Sequence, residues 1–114
     1  MEKKRHPDRN ELLPGTLDML ILKTLARGLR HGYGIARHIR QMSDEVLCVE
    51  EGSLYPALQR LQVKGWVESE WQMSPQNRRA RYYRLTPAGR KQLRVEESSF
   101  EKTVQAIARV MRPA

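Results

Sequence analysis

Hydrophobic residues in the first third of the chain recur three and four positions apart, the spacing of an amphipathic helix. Thr16 and Asp18 are typical of an N-cap and a first turn, so a first helix is expected to begin at Thr16 and to end at Gly28. A second helix is expected after the turn at His31-Gly32. The positions that repeat are Leu17, Leu20, Ile21, Thr24 and Leu25 in the first helix, and Tyr33, Ala36, Ile39 and Met42 in the second.

The segment GSLYPALQRLQVKG predicts a third helix with one apolar and one polar side. Pro56 is expected in its first turn, where the missing N–H costs no hydrogen bond. Gly65 is expected to end the helix in the left-handed conformation. Its inward face would be Leu54, Ala57, Leu58 and Leu61, which leaves Ser53, Tyr55, Gln59, Arg60 and Lys64 available on the outside.

Two stretches of alternating residues after the third helix predict a β-hairpin. In WVESEW, Val67 and Trp71 share one face of the strand. The segment MSPQNRR contains serine, proline and asparagine, which favour turns. In the returning strand, RARYYRL, Tyr83 and Leu85 are expected to point inward and Arg84 outward. The hairpin would therefore have a basic tip and a basic returning strand.

The last quarter of the chain predicts one long helix. Thr86-Pro87 is a favourable start, because threonine caps a helix and proline is preferred at its first position. No helix breaker follows Gly89 until about Met111. The apolar residues are spaced like a coiled-coil seam, in which Glu97 occupies the one skipped position. The seam predicts a dimer interface of Leu93, Phe100, Val104, Ile107 and Met111.

Size and composition limit the class of protein. The 114 residues are enough for one small domain, and no apolar run approaches the roughly 20 residues of a membrane span. The N-terminus lacks the apolar stretch of a signal peptide, and a single cysteine, Cys48, favours a reducing cytoplasm. His6, His31 and His38 lack a third ligand at useful spacing, so zinc is not expected. Neither a cofactor nor an enzymatic site is predicted, because no recognisable catalytic constellation is present.

The basic charge is concentrated in parts of the chain. The net charge is +8, and residues 73–94 hold seven basic side chains and no acidic one. Residues 43–72 are acidic, with six acidic side chains against two basic. The order helix, helix, helix, hairpin, long helix is that of a winged helix-turn-helix, mainly α with a small β-hairpin, followed by a dimerisation helix. The third helix would enter the major groove and the basic wing would contact phosphates or the minor groove of double-stranded DNA.

Four segments of the sequence resemble the PadR family of bacterial transcriptional regulators. They are LLPGTLDMLILKTLARG, HGYGIARHI, VEEGSLYPALQRLQVKGWVE and NRRARYYRLTPAGR. Arg30 stands where a proline is more usual. The resemblance is to the short form of the family, with a single C-terminal helix. It implies a homodimer on a pseudo-palindromic operator, commonly a repressor released by a small aromatic effector. From the resemblance together with the pattern of the residues, we expect a flexible polar segment at 1–11, a DNA-binding domain at 12–86 and a dimerisation helix at 87–114.

The resemblance and the helical phase together select the expected DNA contacts: Ser53, Tyr55, Pro56, Gln59, Arg60, Lys64, Asn77, Arg78, Arg79 and Arg81. Other interpretations stay open for several residues. Tyr55 could instead pack, and Trp66 and Trp71 could be core or interface anchors or line an effector pocket. Cys48 fits a small buried hydrophobe better than a redox sensor, because no second cysteine could resolve it.

Two other functions also fit the sequence. The chain could be a nonspecific basic nucleic-acid-binding protein, which competition by random-sequence DNA would reveal. It could also be a protein-interaction module that uses the C-terminal helix and binds no DNA.

Overall fold

A computed structural model of the chain describes residues 14–113. The segment expected to be flexible, 1–11, lies outside the described residues. The elements, in chain order, are α1 (Pro14–Ala26), β1 (Arg30–His31), α2 (Gly32–Met42), α3 (Glu51–Val63), β2 (Val67–Met73), β3 (Arg79–Leu85) and α4 (Pro87–Met111). The described chain is thus mainly helical with a small sheet, as the sequence predicted.

The core lies where α1, α2 and α3 meet the base of the sheet. The predicted inner face of α3 is confirmed, since Leu54, Ala57, Leu58 and Leu61 are all buried. Burial of such side chains stabilises the fold by about 1.5–3 kcal/mol each for the larger ones. Ile21, Leu22 and Leu25 from α1 and Ile35 and Ile39 from α2 complete the centre of the core.

Three local predictions for the helices are wrong. α1 begins at Pro14, so Thr16 lies inside the first turn and is not its N-cap; proline is favoured at the first position of a helix. The positions that repeat along α2 do not share a buried face, because Ile35 and Ile39 are buried while Tyr33 and Met42 are exposed. Pro56 is the sixth residue of α3 and not in its first turn, because the helix already begins at Glu51.

The sheet has three strands in the order β1-β3-β2, all antiparallel. The β2–β3 hairpin was predicted, and its register pairs Val67 with Leu85 at the base and Met73 with Arg79 at the tip. β1 was not predicted, because a strand of two residues has no detectable alternation. It pairs Arg30 with Tyr83 and His31 with Tyr82, which joins the start of α2 to the hairpin.

Helix α4 is held to the rest of the chain by its first turns. Thr86 caps it by accepting the Gly89 N–H at 3.0 Å, and Pro87 follows at the first helical position, as predicted. Gly89 lies so close to the preceding loop that a Cβ there would be 2.1 Å from the Trp66 carbonyl oxygen. Lys23 of α1 pairs with Glu97 at 2.9 Å. Beyond this pair every described residue of α4 is exposed.

Candidate nucleic-acid interface

The outer side of α3 presents most of the side chains that the sequence selected. Ser53, Tyr55, Pro56 and Gln59 are exposed. Because Pro56 has no N–H, it cannot donate the helical hydrogen bond to the Gly52 carbonyl, and this marks a local irregularity on the exposed side. A polar helix side of this kind can reach base edges in the major groove.

Arg60 is exposed but engaged within the chain. Its Nη2 donates to Asp18 Oδ1 of α1 at 2.9 Å. Arg60 lies on the outer side of α3, as its helical phase predicted, but an ion pair between residues 42 positions apart has no signal in the sequence. Asp18 thereby ties α1 to α3 and neutralises one cation of the expected DNA-contacting set.

The hairpin of β2, the turn 74–78 and β3 is here called the wing. Its turn is closed by the Ser74 N–H, which donates to the Arg78 carbonyl at 2.7 Å, and by the Asn77 N–H, which donates to the Ser74 carbonyl at 2.9 Å. Asn77 has a φ of 60°, a left-handed conformation that asparagine tolerates better than most residues. The predicted turn is therefore confirmed, with Asn77 and Arg78 exposed at its tip.

On one face of the wing, two arginine side chains lie over the exposed ring of Trp71. The guanidinium carbons of Arg79 and Arg81 lie 4.9 Å and 5.6 Å from the centroid of the Trp71 ring. Arg81 also donates from Nε to Ser69 Oγ at 2.8 Å. These contacts restrict both guanidinium groups, and neither forms an ion pair with another residue of 14–113. Their charges are available to a ligand.

The opposite face of the wing carries no uncompensated positive charge. Arg84 pairs there with both Glu68, at 2.7 Å, and Glu70. A hydrogen bond from Gln72 and the charge of Arg84 lower the pKa of the Glu70 carboxyl, and the two glutamates raise the pKa of Arg84. Because side chains alternate along a strand, Arg84 lies on the other side from Arg79 and Arg81. The wing therefore has one face with free positive charge and one without.

The charged face of the wing borders an open groove of about 420 Å³, here called the wing groove. Tyr33 of α2 and Tyr55 of α3 form its other side. The Tyr55 ring rests against Gly32, where a Cβ would be 2.8 Å from the ring, so Tyr55 both packs and stays exposed. Tyr83 lies at the base, and burial raises the pKa of its phenol. Tyr33 was not among the predicted DNA contacts, because in the sequence it is only one of the positions that repeat along the second helix.

His31 fixes the start of α2 beside this groove. Its Nδ1 accepts the Gly34 N–H at 3.0 Å, so the histidine caps the helix. Its ring lies 6.4 Å from that of Tyr33, nearly parallel, and 5.6 Å from that of Tyr82, edge to face. These contacts join α2, β1 and β3, and they fix the position of Tyr33 relative to the wing.

Trp66 and Trp71 do not lie together. Trp66 directly precedes β2, whereas Trp71 is exposed within the strand, on the face that Arg79 and Arg81 cover. Trp66 is half-buried against the core, with the Lys64 ammonium 4.8 Å from its ring centroid. The role of either tryptophan in an effector pocket stays a prediction. Lys64 stands at the far end of α3 from Ser53, about 16 Å along the helix axis.

The expected dimer residues divide into one buried and four exposed side chains. Leu93 is 5% exposed and belongs to the core of the chain itself, so its inclusion in the seam was wrong. Phe100, Val104, Ile107 and Met111 are between 45% and 75% exposed. They form an apolar stripe along the free part of α4, because their spacing of four, three and four residues keeps them on one side.

Within residues 14–113 no three His, Cys, Asp or Glu side chains are grouped closely enough to hold a metal ion. In the same part of the chain no helix is both long enough and apolar enough to cross a membrane. Cys48 is half-buried in the segment between α2 and α3.

The chain, with its polar α3, basic wing and long last helix, is similar to known proteins. The model of the transcriptional regulator PadR-like family matches residues 21–95. The chain belongs to the PadR-like family of transcriptional regulators. The match spans α2, α3 and the wing, and ends within α4 just after Leu93. The PadR-like assignment is therefore carried by the elements that form the candidate interface.

Solved structures share both the fold and part of the sequence. A transcriptional regulator from Clostridium thermocellum is 33% identical, with a TM-score of 0.79 over 86% of this chain and 95% of that chain. A PadR family transcriptional regulator from Eggerthella lenta is 29% identical, with a TM-score of 0.74 over 88% of this chain and 85% of that chain. A 37.1 kDa protein in a transposon of Streptomyces fradiae is 42% identical over 84 residues. That match covers 74% of this chain but 23% of the transposon protein.

Proposed function

We propose that this PadR-like protein is a dimeric, sequence-specific DNA-binding regulator that acts as a repressor released by a small molecule. The observation that carries DNA binding is the contrast between the two faces of the wing. Arg79 and Arg81 stack on Trp71 without an acidic partner in the described chain, whereas Arg84 on the other face is neutralised by two glutamates. If these arginines served only to keep the surface solvated, we would not expect them to be unpaired on one face of the wing and paired on the other.

The charged face continues into the exposed side of α3 through the wing groove. Tyr55 belongs to both, since it extends from α3 and lines the groove with Trp71 and Arg79. A DNA duplex laid on this surface would meet α3 at base edges and the wing at phosphates. Ser53 and Gln59 are the exposed polar side chains of α3 suited to bases, and Asn77 and Arg78 extend the phosphate contacts at the wing tip. Arg60 would have to leave Asp18 to contribute.

The apolar stripe of α4 supports dimerisation. Three of its residues, Phe100, Val104 and Ile107, are each about half exposed in a single chain. Pairing two such helices removes this surface from water and sets the distance between the two α3 helices. In this proposal α4 is the dimerisation helix of 87–114, and the DNA-binding domain comprises residues 12–86. Repression and release by an aromatic effector follow from the family resemblance.

The test of this function is binding to the DNA that flanks the protein's own gene. A footprint is expected there, with two protected half-sites, and random-sequence duplex should compete roughly 10³-fold less well at the same salt concentration. Equal competition by random duplex would support the nonspecific binder instead. No binding to either DNA, together with a mixed or monomeric state, would support the protein-interaction module. Aromatic compounds are then titrated against the complex to test release.

A further inference from the structure

The ion pair between Asp18 and Arg60 joins α1 to the side of α3 that the proposed function turns toward DNA. Ser53, Pro56 and Arg60 follow one another at intervals of three and four residues, so they lie on one side of α3. Arg60 stands about 10 Å along the helix axis from Ser53. An arginine without a partner at this position would therefore meet the duplex.

The two partners of this ion pair differ in burial. The Arg60 side chain is 43% exposed, whereas the Asp18 side chain is 16% exposed. Within residues 14–113 neither side chain has a second hydrogen-bond or ion-pair partner. If Arg60 turned to a phosphate, the largely buried Asp18 carboxylate would be left unpaired beside the negative charge of the DNA. Leaving such a charge unpaired costs more free energy than an exposed ion pair returns in water.

We propose that Asp18 is a positioning residue that withholds Arg60 from DNA. This inference rests on the proposed function. A contact between an arginine and a phosphate strengthens binding to every sequence, because phosphates carry no sequence information. Arg60 is the one arginine of α3. While Asp18 holds it, α3 presents Ser53, Tyr55 and Gln59 to base edges without a free guanidinium beside them, and the affinity for DNA of any sequence is lower.

The experiment removes first the carboxylate and then both charges of the pair. The dissociation constant of the full chain for a random-sequence duplex is measured over a range of salt concentrations. Asp18→Asn keeps the shape of the side chain but leaves Arg60 without a counter-charge. This variant should bind the duplex more tightly than the wild type, with a salt slope steeper by about one, because one more cation reaches a phosphate.

Two further variants serve as references, and all are compared at a temperature at which circular dichroism shows them folded. The double variant Asp18→Asn/Arg60→Gln carries neither charge, and it should return to the wild-type slope because the intact pair offers DNA no free cation. Glu68→Gln is the matched control, since it changes the net charge equally and also removes a carboxylate paired with an arginine, Arg84, on the other face of the wing. Its slope should match that of the wild type.

The outcomes distinguish this inference from the proposed function. A slope lower by about one in the double variant than in the wild type would show that Arg60 already contacts DNA, and would overturn the role of Asp18. An unchanged slope in Asp18→Asn, with a reduced slope in Arg79→Ala, would also overturn it and leave DNA binding intact. Equal increases in Asp18→Asn and Glu68→Gln would assign the effect to net charge alone, against the inference. Absence of DNA binding by the wild type would overturn both.

Discussion

Trp71 stands directly opposite Arg81 across the β2–β3 ladder, and the Arg81 guanidinium lies 5.6 Å from its ring centroid. Arg79, two residues earlier on β3, approaches the same ring to 4.9 Å. An exposed cation–π contact contributes about 0.5–1 kcal/mol. The tryptophan thus holds two long, otherwise mobile side chains in place, and this reduces the conformational entropy that they lose when they bind a phosphate.

Trp71→Ala is expected to weaken DNA binding roughly tenfold, because two arginine side chains must then be ordered on binding at a cost of about 0.5–1.5 kcal/mol each. The salt slope should stay close to that of the wild type, since both arginines remain. Trp71→Phe keeps an aromatic face and is expected to lose much less. Fluorescence anisotropy of a labelled duplex measures both quantities. Wild-type affinity in Trp71→Ala would show that the ring does not position the arginines for DNA.

The two faces of the wing give a matched pair of variants. Arg79→Ala removes a cation from the open face and should weaken binding to all DNA sequences, with a salt slope lower by about one. Arg84→Ala removes a cation that is already paired with Glu68 and Glu70, so the salt slope should stay close to that of the wild type. Salt titrations of both variants are compared with the wild type. Equal effects of the two substitutions would refute the distinction between the faces.

Ile107→Asp is expected to yield a monomer with little operator affinity, because a charge in the apolar stripe of α4 prevents two helices from pairing. Gln105→Asp is the control: it adds the same charge to the same helix, away from the stripe. Sedimentation velocity measures the oligomeric state of both variants. A dimeric Ile107→Asp protein would exclude the stripe as the interface.

Gly89→Ala tests the contact that seats α4 on the rest of the chain. The new Cβ would lie 2.1 Å from the Trp66 carbonyl oxygen and 2.7 Å from Leu85 Cδ1, so the helix must shift. Overpacking of this kind lowers the free energy of unfolding by about 1–3 kcal/mol. Gly52→Ala, where a Cβ meets nothing within 4 Å in helix α3, is expected to be neutral or slightly stabilising. Thermal unfolding followed by circular dichroism compares the two; equal melting temperatures would contradict the close contact.

His38 connects stability to pH. Because its pKa is lowered in the folded chain, the unfolded chain binds the proton more readily just below pH 6.5, its ordinary value. The free energy of unfolding should therefore fall as the pH is lowered through this range. His38→Gln should reduce that dependence, as measured by denaturant unfolding at several pH values.

Much of the fold could be predicted from sequence because its signals are local. The leucine spacing of α3, the alternation of the β2–β3 hairpin and the Thr86-Pro87 start of α4 each depend on residues within a few positions of one another. The candidate DNA-binding surface could also be predicted in outline, because the same periodicities indicate the outward positions on α3 and the basic wing. The sequence by itself thus determined the element order, the winged fold and the region of positive charge.

Only the tertiary structure decided which of those charges are available. Arg60 is paired with Asp18 and Arg84 with two glutamates, while Arg79 and Arg81 rest on Trp71. Each of these partners is brought close by packing or by strand register. Likewise Leu93 fits a seam by spacing but is buried by the first turns of α4 against the core. Periodicity reports which side of an element a residue occupies; what faces that side depends on contacts between distant parts of the chain.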